Sequence, residues 1–193
     1  TVINHLKREA SIGGYEAADE AQERLNAVYG STAKLIGSEP DEIAVIENAT
    51  RAWDMAVYGY KFSPGDRVLL CRAEYVSNVI ALLQLKERHQ IEIIVIDDDE
   101  YGQIDLVHLE QELAKGAEMV TLTHTPTSGG LINPAESVGT LCNAYNTFFV
   151  LDACQSIGQI PINVKEIGCQ VLSATSRKYL RGPRGVGFLY VEE

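Results

Sequence analysis

The chain has 193 residues, of which 46% are hydrophobic, so it is long enough to bury a core of its own. Its formal charge of −11 and its isoelectric point near 4.8 exclude the basic surface of a nucleic-acid-binding protein and are typical of a soluble cytosolic protein. We expect no signal peptide, and no apolar run of these residues approaches the ~18 residues of a membrane-spanning helix. The four cysteines lie far apart without a CxxC pair, which argues against a metal site and a disulfide framework.

The pattern of apolar residues predicts an alternation of helices and strands along the whole chain. In chain order we predict helix 15–37, strand 42–48, helix 49–60, strand 65–72, helix 77–89, strand 91–99, helix 105–116, strand 118–125, helix 135–146, strand 147–154, a helical turn at 164–168, strand 169–176 and strand 185–191. Ser77 and Asp105 are the candidate N-caps of their helices.

The strands are rich in Val, Ile and Leu with little polar alternation, which indicates burial on both faces and therefore a mostly parallel sheet. We predict an α/β fold with a seven-stranded sheet between two helical layers. Ligands of such sheets lie outside the carboxyl ends of the strands. The polar strand ends are 47–50, 72–75, 123–127, 151–155 and 173–178.

The first candidate site lies in the stretch "ENATRAW". Ala49 and Thr50 are predicted at a helix N-terminus, where free N–H groups and the helix dipole attract an anion such as phosphate. The alternative is an ordinary N-cap, in which Asn48 or Thr50 caps only its own helix.

The second candidate site lies in the stretch "VLDACQS". Asp152 directly follows a buried strand, where a carboxylate is costly unless it is paired, and a protonated ring nitrogen is a suitable partner. Gln155 could then hydrogen-bond a ring oxygen. The alternative is that Asp152 only caps a turn or helix.

The third candidate is the lysine in "SATSRKYLRG". An amine held among cationic neighbours with little water is activated as a nucleophile, and Lys178 has Arg177 beside it. Thr175, Ser176 and Arg177 could share in holding a phosphate. The alternative is a basic surface loop.

Two aromatic residues at strand ends are weaker candidates. Tyr75 could stack on a flat cofactor or simply pack at the end of its strand. His124 could transfer protons or act as a structural hydrogen-bonding group.

A phosphate site, a stacking ring, an acid for a ring nitrogen, an oxygen donor and a lysine occur in that order, which indicates a pyridoxal phosphate site. The chain resembles the class V aminotransferase family, which contains cysteine desulfurases, selenocysteine lyases and isopenicillin N epimerase-like enzymes. The resemblance extends from about residue 13 to residue 190 and is strongest in "VLDACQSIGQIPINV" and "CQVLSATSRKYLRGPRGVGFLYV".

The resemblance implies roles for individual residues. Asp152 would pair with the pyridine nitrogen, Gln155 would bond the phenolic oxygen, and Lys178 would bind the cofactor covalently and act as general base. Ala49 and Thr50 match the family's phosphate-binding positions. The resemblance also implies the large domain of a fold type I enzyme, an amino acid substrate and a homodimer.

Because the chain starts without Met and stops after a strand, we expect residues 1–193 to be the cofactor-binding large domain of a longer protein. We expect a segment before it and a small C-terminal domain to be absent.

The chain differs from cysteine desulfurases at three of the positions that carry the resemblance. Tyr75 stands where desulfurases stack a histidine, Thr127 is the nearest counterpart of an asparagine, and Arg177 replaces the histidine before the lysine. These differences favour a C–S lyase, epimerase or transaminase reaction over a desulfurase. A non-catalytic cofactor-binding or dimerisation domain, and an α/β protein that binds another phosphorylated ligand, are the alternatives.

Overall fold

The computed structural model describes residues 1–193 as seven α-helices and seven strands. The helices are α1 (Val2–Ile12), α2 (Gly14–Ile36), α3 (Ala49–Gly59), α4 (Val76–His89), α5 (Leu106–Leu113), α6 (Ala135–Ala144) and α7 (Val164–Ile167). The strands are β1 (Ile43–Ile46), β2 (Arg67–Cys71), β3 (Glu92–Ile96), β4 (Met119–Thr123), β5 (Phe148–Asp152), β6 (Val171–Thr175) and β7 (Gly187–Val191). None of the helices combines the length and the apolar composition that crossing a membrane requires.

All predicted helices and strands are present, one of the two predicted caps is confirmed, and one further helix is found. The predicted cap Asp105 accepts backbone N–H groups of the first turn of α5. The predicted cap Ser77 is wrong, because α4 already begins at Val76 and its N-cap residue, Tyr75, makes no side-chain cap bond. Helix α1 was not predicted; it packs along α2, buries none of its residues, and is tied to α2 by the ion pair of Arg8 with Glu20.

The sheet has the strand order β1-β7-β6-β5-β4-β2-β3. All its pairings are parallel except those of β7, which runs antiparallel to both β6 and β1. The mostly parallel seven-stranded sheet is therefore confirmed. Helical crossovers between parallel strands place helices on both faces of such a sheet.

The core consists of two apolar clusters, one on each face of the sheet. Helices α3 and α4 cover one face, with Trp53 and Leu82 fully buried against it. Helices α2, α5, α6 and α7 cover the other face around Phe149 and Tyr190. Burial of apolar area on both faces is the main stabilising term, and it gives the three-layer architecture predicted.

The face under α3 and α4 changes from apolar to polar along the strands. It carries Met119 and Val150 near the strand starts. At the strand ends Thr123, Asp152 and Ser173 lie side by side, since Thr123 pairs with Asp152 and Asp152 with Ser173. Polar residues are thus concentrated at the carboxyl edge, where ligands of parallel sheets bind.

Gly187 allows α3 to approach this edge closely. A β-carbon there would lie 2.6 Å from the carbonyl oxygen of Ala174 and 3.0 Å from the backbone nitrogen of Ala49. Its φ is not positive, so the position requires glycine for space and not for conformation. The first turn of α3 therefore abuts β6 and β7.

We expect Gly187→Ala to lower the free energy of unfolding by about 1–3 kcal/mol, because the new methyl group must displace packed backbone. Gly59→Ala is the matched control, since nothing lies within 4 Å of a β-carbon at Gly59. Alanine is the better helix former, so this control should be neutral or slightly stabilising. Denaturant unfolding of both variants tests the packing, and equal stabilities would contradict it.

Candidate active site

One cleft lies at the carboxyl edge of the sheet, beside the first turns of α3 and α4. It encloses about 510 Å³, its open mouth included, and thirteen residues line it. All nine predicted site residues are among them: Ala49, Thr50, Tyr75, Thr127, Asp152, Gln155, Thr175, Arg177 and Lys178. The other four are Asn48, Asn78, Thr123 and Cys154.

The N-terminus of α3 forms one wall of the cleft. The side chain of Asn48 caps the helix by accepting the N–H of Arg51 at 2.8 Å. The N–H groups of Ala49 and Thr50 donate to no group of the protein, and the Thr50 hydroxyl lies 3.4 Å from that of Ser77. Free N–H groups at the positive end of a helix dipole favour an anion.

Asp152 is buried, 6% exposed, at the end of β5. Its Oδ1 accepts the backbone N–H of Cys154 at 2.9 Å, and its Oδ2 accepts the side-chain N–H of Asn78 at 3.3 Å. No lysine, arginine or histidine forms an ion pair with it. A carboxylate desolvated in this way is complementary to a cationic N–H donor.

Glu74 places a second carboxyl group behind Asp152. Its Oε1 accepts the N–H of Tyr75 at 2.8 Å, an N–H of Asn78 at 3.0 Å and the hydroxyl of Thr123, whereas its buried Oε2 has no partner. Burial is the largest effect and raises the pKa of Glu74; the Thr123 hydrogen bond opposes this, and the nearby Asp152 reinforces it.

Lys178 supplies the free amine of the cleft. Its Nζ lies 5.7 Å from the centroid of the Tyr75 ring and forms no ion pair. Gln155 donates its side-chain N–H to the Thr127 hydroxyl at 3.2 Å, which joins two further predicted residues at the cleft wall. A stacking ring, an amine and an amide therefore share one space.

The residues before the lysine divide between the cleft and the loop. Thr175 and Arg177 line the cleft, and Arg177 has no carboxylate partner. Ser176 does not line it, because its hydroxyl is engaged with the carbonyl oxygens of Pro183, at 2.6 Å, and Val186, at 2.9 Å. Ser176 therefore stabilises the turn into β7.

His124 lies outside the cleft, so the structure gives no support to proton transfer by this side chain. Burial lowers its pKa to about 4, and its Nδ1 has no hydrogen-bond partner. Its backbone N–H donates to the carbonyl oxygen of Asp152 at 3.0 Å, which continues the β4–β5 ladder.

The sequence indicated three of the four additional lining residues only by position. Asn48, Thr123 and Cys154 all belong to the predicted strand ends; the residue type of Asn48 suggested only the N-cap that it forms, and those of Thr123 and Cys154 suggested no role. Asn78 gave no signal, because it lies inside a predicted helix. Burial raises the pKa of the Cys154 thiol, and the neighbouring Asp152 adds to this effect, so the thiol is not a ready nucleophile.

Comparison with known proteins agrees with this geometry. The family model described as aminotransferase class-V matches residues 3–193. A probable cysteine desulfurase of Methanothermobacter thermautotrophicus is 29% identical over 178 residues, which are 92% of this chain and 44% of the relative. The chain spans less than half the length of the curated relatives it matches first.

Two solved structures share the fold. The apo cysteine desulfurase of Thermococcus onnurineus NA1 is 27% identical with a TM-score of 0.87, over 92% of this chain and 44% of that one. The cystine C–S lyase C-DES in complex with cysteine persulfide has a TM-score of 0.89 at 19% identity, over 99% of this chain and 52% of that one, a likeness of fold alone. With the family model matching nearly the whole chain, the protein belongs to the class V aminotransferase family.

Proposed function

We propose that this chain is the cofactor-binding domain of a pyridoxal phosphate enzyme that acts on an amino acid. The observation that carries the proposal is the presence of a carboxyl group and an amine in one cleft, neither of which has an ion-pair partner. Asp152 is a buried carboxylate without a cation, and Lys178 is an amine without an anion. They do not neutralise each other, so each remains available to a ligand.

The residues of the cleft fit the cofactor chemically. The free N–H groups of Ala49 and Thr50, with Thr175 and Arg177, suit a phosphate. Asp152 suits a protonated pyridine nitrogen, and Gln155 suits a phenolic oxygen. Tyr75 offers a ring face for stacking, and Lys178 an amine for the carbonyl carbon.

The reaction follows from what these side chains can do. Pyridoxal phosphate supplies an electron sink for the bond that breaks at the substrate α-carbon. Asp152 would hold a proton on the ring nitrogen, which makes that sink effective. Lys178 would bind the cofactor through its amine and serve as the base that takes or returns the α-proton. Thr50, Thr175 and Arg177 would hold the phosphate, and Tyr75 would offer its ring face to the cofactor.

The substrate we propose is a sulfur-containing amino acid whose C–S bond is cleaved. Two of the related proteins named above are described as cysteine desulfurases, one of them as a probable one, and both support a cysteine-like substrate. All four thiols of this chain are buried, and burial raises the pKa of each, so none of them is a ready sulfur acceptor. Tyr75, Thr127 and Arg177 favour a C–S lyase over a desulfurase, with epimerase and transaminase reactions as the alternatives.

We also propose a homodimer in the cytoplasm. The apolar side chains of Met55, Ile80 and Leu83 are exposed on α3 and α4, which supports a subunit contact on these helices. All four cysteines are free, as in proteins of a reducing compartment.

Lys178→Ala should abolish covalent capture of the cofactor, because no other amine lines the cleft. The protein is incubated with pyridoxal phosphate, reduced with borohydride, digested and examined by mass spectrometry. Lys86→Ala, which removes an exposed lysine of α4, should retain the adduct. An adduct elsewhere in the wild type, or its persistence in Lys178→Ala, would refute the assignment.

Asp152→Asn should slow α-proton exchange of a bound amino acid at least a hundredfold, because a neutral amide cannot hold the proton on the ring nitrogen. NMR in D₂O measures the exchange of the α-proton for deuterium. This exchange is common to all branches of the reaction. Asp19→Asn, at an exposed position of α2, is the control. Wild-type exchange in Asp152→Asn would remove Asp152 from the mechanism.

Thr50→Val should weaken cofactor affinity about tenfold, since one hydrogen bond to a charged phosphate is lost. Thr140→Val is the control, because the Thr140 hydroxyl only donates to Glu136 within α6. Equilibrium titration followed by cofactor absorbance measures both. Equal affinities would place the phosphate elsewhere.

A further inference from the structure

We propose that Asn78 is a positioning residue that links the buried carboxyl group of Glu74 to Asp152 and holds Asp152 ready for the ring nitrogen of the cofactor. The inference rests on the proposed function, because only the bound cofactor gives Asp152 that partner. Asn78 was not among the predicted site residues.

The geometry at Asn78 is that of a bridge. The residue is 1% exposed in the first turn of α4. Its Nδ2 donates to Glu74 Oε1 at 3.0 Å and to Asp152 Oδ2 at 3.3 Å, so both hydrogens of one amide serve two carboxyl groups. Its Oδ1 lies 3.4 Å from the Ser77 hydroxyl. A flipped amide would place Oδ1 against both carboxyl groups and is disfavoured.

The bridge is anchored from two sides. The N–H of Tyr75 and the hydroxyl of Thr123 both donate to Glu74 Oε1, so the acceptor that orients Asn78 is itself held in place. Thr123 is the register partner of Asp152 in the neighbouring strand. The network therefore ties α4 to β4 and β5 at the point where the carboxylate faces the cleft.

The charges around the bridge explain why an amide is needed. Glu74 faces Asp152, and the Cys71 thiol lies near Glu74. On the side of Asp152 lie the Cys154 thiol, Lys178 and Arg177. The two carboxyl groups repel each other when both are ionised, and neither has an ion-pair partner. Asn78 gives each of them a donor and adds no charge.

Asn78→Leu, close to the native volume, removes both hydrogen bonds. With protein loaded with ¹⁵N-labelled pyridoxal phosphate, the ¹⁵N NMR signal reports protonation of the ring nitrogen. We expect the ratio of protonated to unprotonated nitrogen to fall about tenfold in Asn78→Leu, because Asp152 is no longer held in place and its charge-assisted hydrogen bond to the ring nitrogen is weakened. Gln84→Leu, an amide lost from the same helix outside the cleft, should leave the ratio unchanged.

Two further variants separate positioning from simple loss of packing. Glu74→Leu should lower the same ratio, whereas Glu74→Gln, which keeps an acceptor oxygen, should restore it. If Asn78→Leu does not fold, Asn78→Ser takes its place. Serine keeps a small polar group that cannot reach both carboxyl groups, so the ratio should fall in this variant also. An unchanged ratio in a folded, loaded Asn78 variant overturns the proposal.

A second measurement does not need the cofactor. In cofactor-free protein, the side-chain N–H signals of Asn78 should exchange with solvent at least a hundredfold more slowly than those of Asn26, which is exposed on α2. Equal rates would refute the bridge itself. If the wild type captures no cofactor on Lys178, the proposed function fails and the role toward the ring nitrogen fails with it, while equal exchange rates would still refute the bridge independently of the cofactor.

Discussion

A carboxylate buried without a counter-ion, Asp152, is the constraint on which the rest of the cleft depends. Removing an ionised carboxyl group from water costs several kcal/mol, and neighbouring groups must offset this. The chain supplies two N–H donors, one from the turn after β5 and one from α4. Two neutral donors compensate the charge only in part, so the folded chain retains an affinity for a cationic group at this position.

The other walls of the cleft complete the same pattern. The first turn of α3 presents free N–H groups, and Lys178 presents an unpaired amine. The cleft therefore matches a ligand that joins an anionic group, a basic ring nitrogen and an electrophilic carbon in one flat molecule. Each of these groups alone is common on protein surfaces, and their meeting at one sheet edge gives the site its specificity.

The sequence predicted the members of this cleft largely because of topology. A parallel sheet brings the ends of β4, β5 and β6 to one edge, so the residues after those strands meet whatever their spacing in the chain. Arg72, also at a strand end, instead forms an exposed ion pair with Asp97 and does not line the cleft. A strand end alone does not say to which face a side chain points.

The residues that sequence reasoning missed depend on contacts between elements. Asn78 enters the cleft because α4 begins one residue before the predicted cap Ser77 and directs its first turn toward β5. The need for glycine at Gly187 comes from the approach of α3, which no local pattern encodes. Helix α1 buries none of its residues, so it has no core-facing side whose apolar spacing would have marked it as a helix.

The place of β1 in the sheet has a consequence for how the protein is made. Ile43 of β1 pairs with Tyr190 of β7, and α3 follows β1 directly, so this part of the sheet joins two segments that lie far apart in the sequence. A contact of such long sequence separation is slow to form, because closing the loop loses entropy before the pairing compensates. During synthesis on the ribosome, the parallel strands β2 to β6 can assemble first, and the anion-binding turn of α3, which rests on β6 and β7, gains the second of these supports only when β7 emerges.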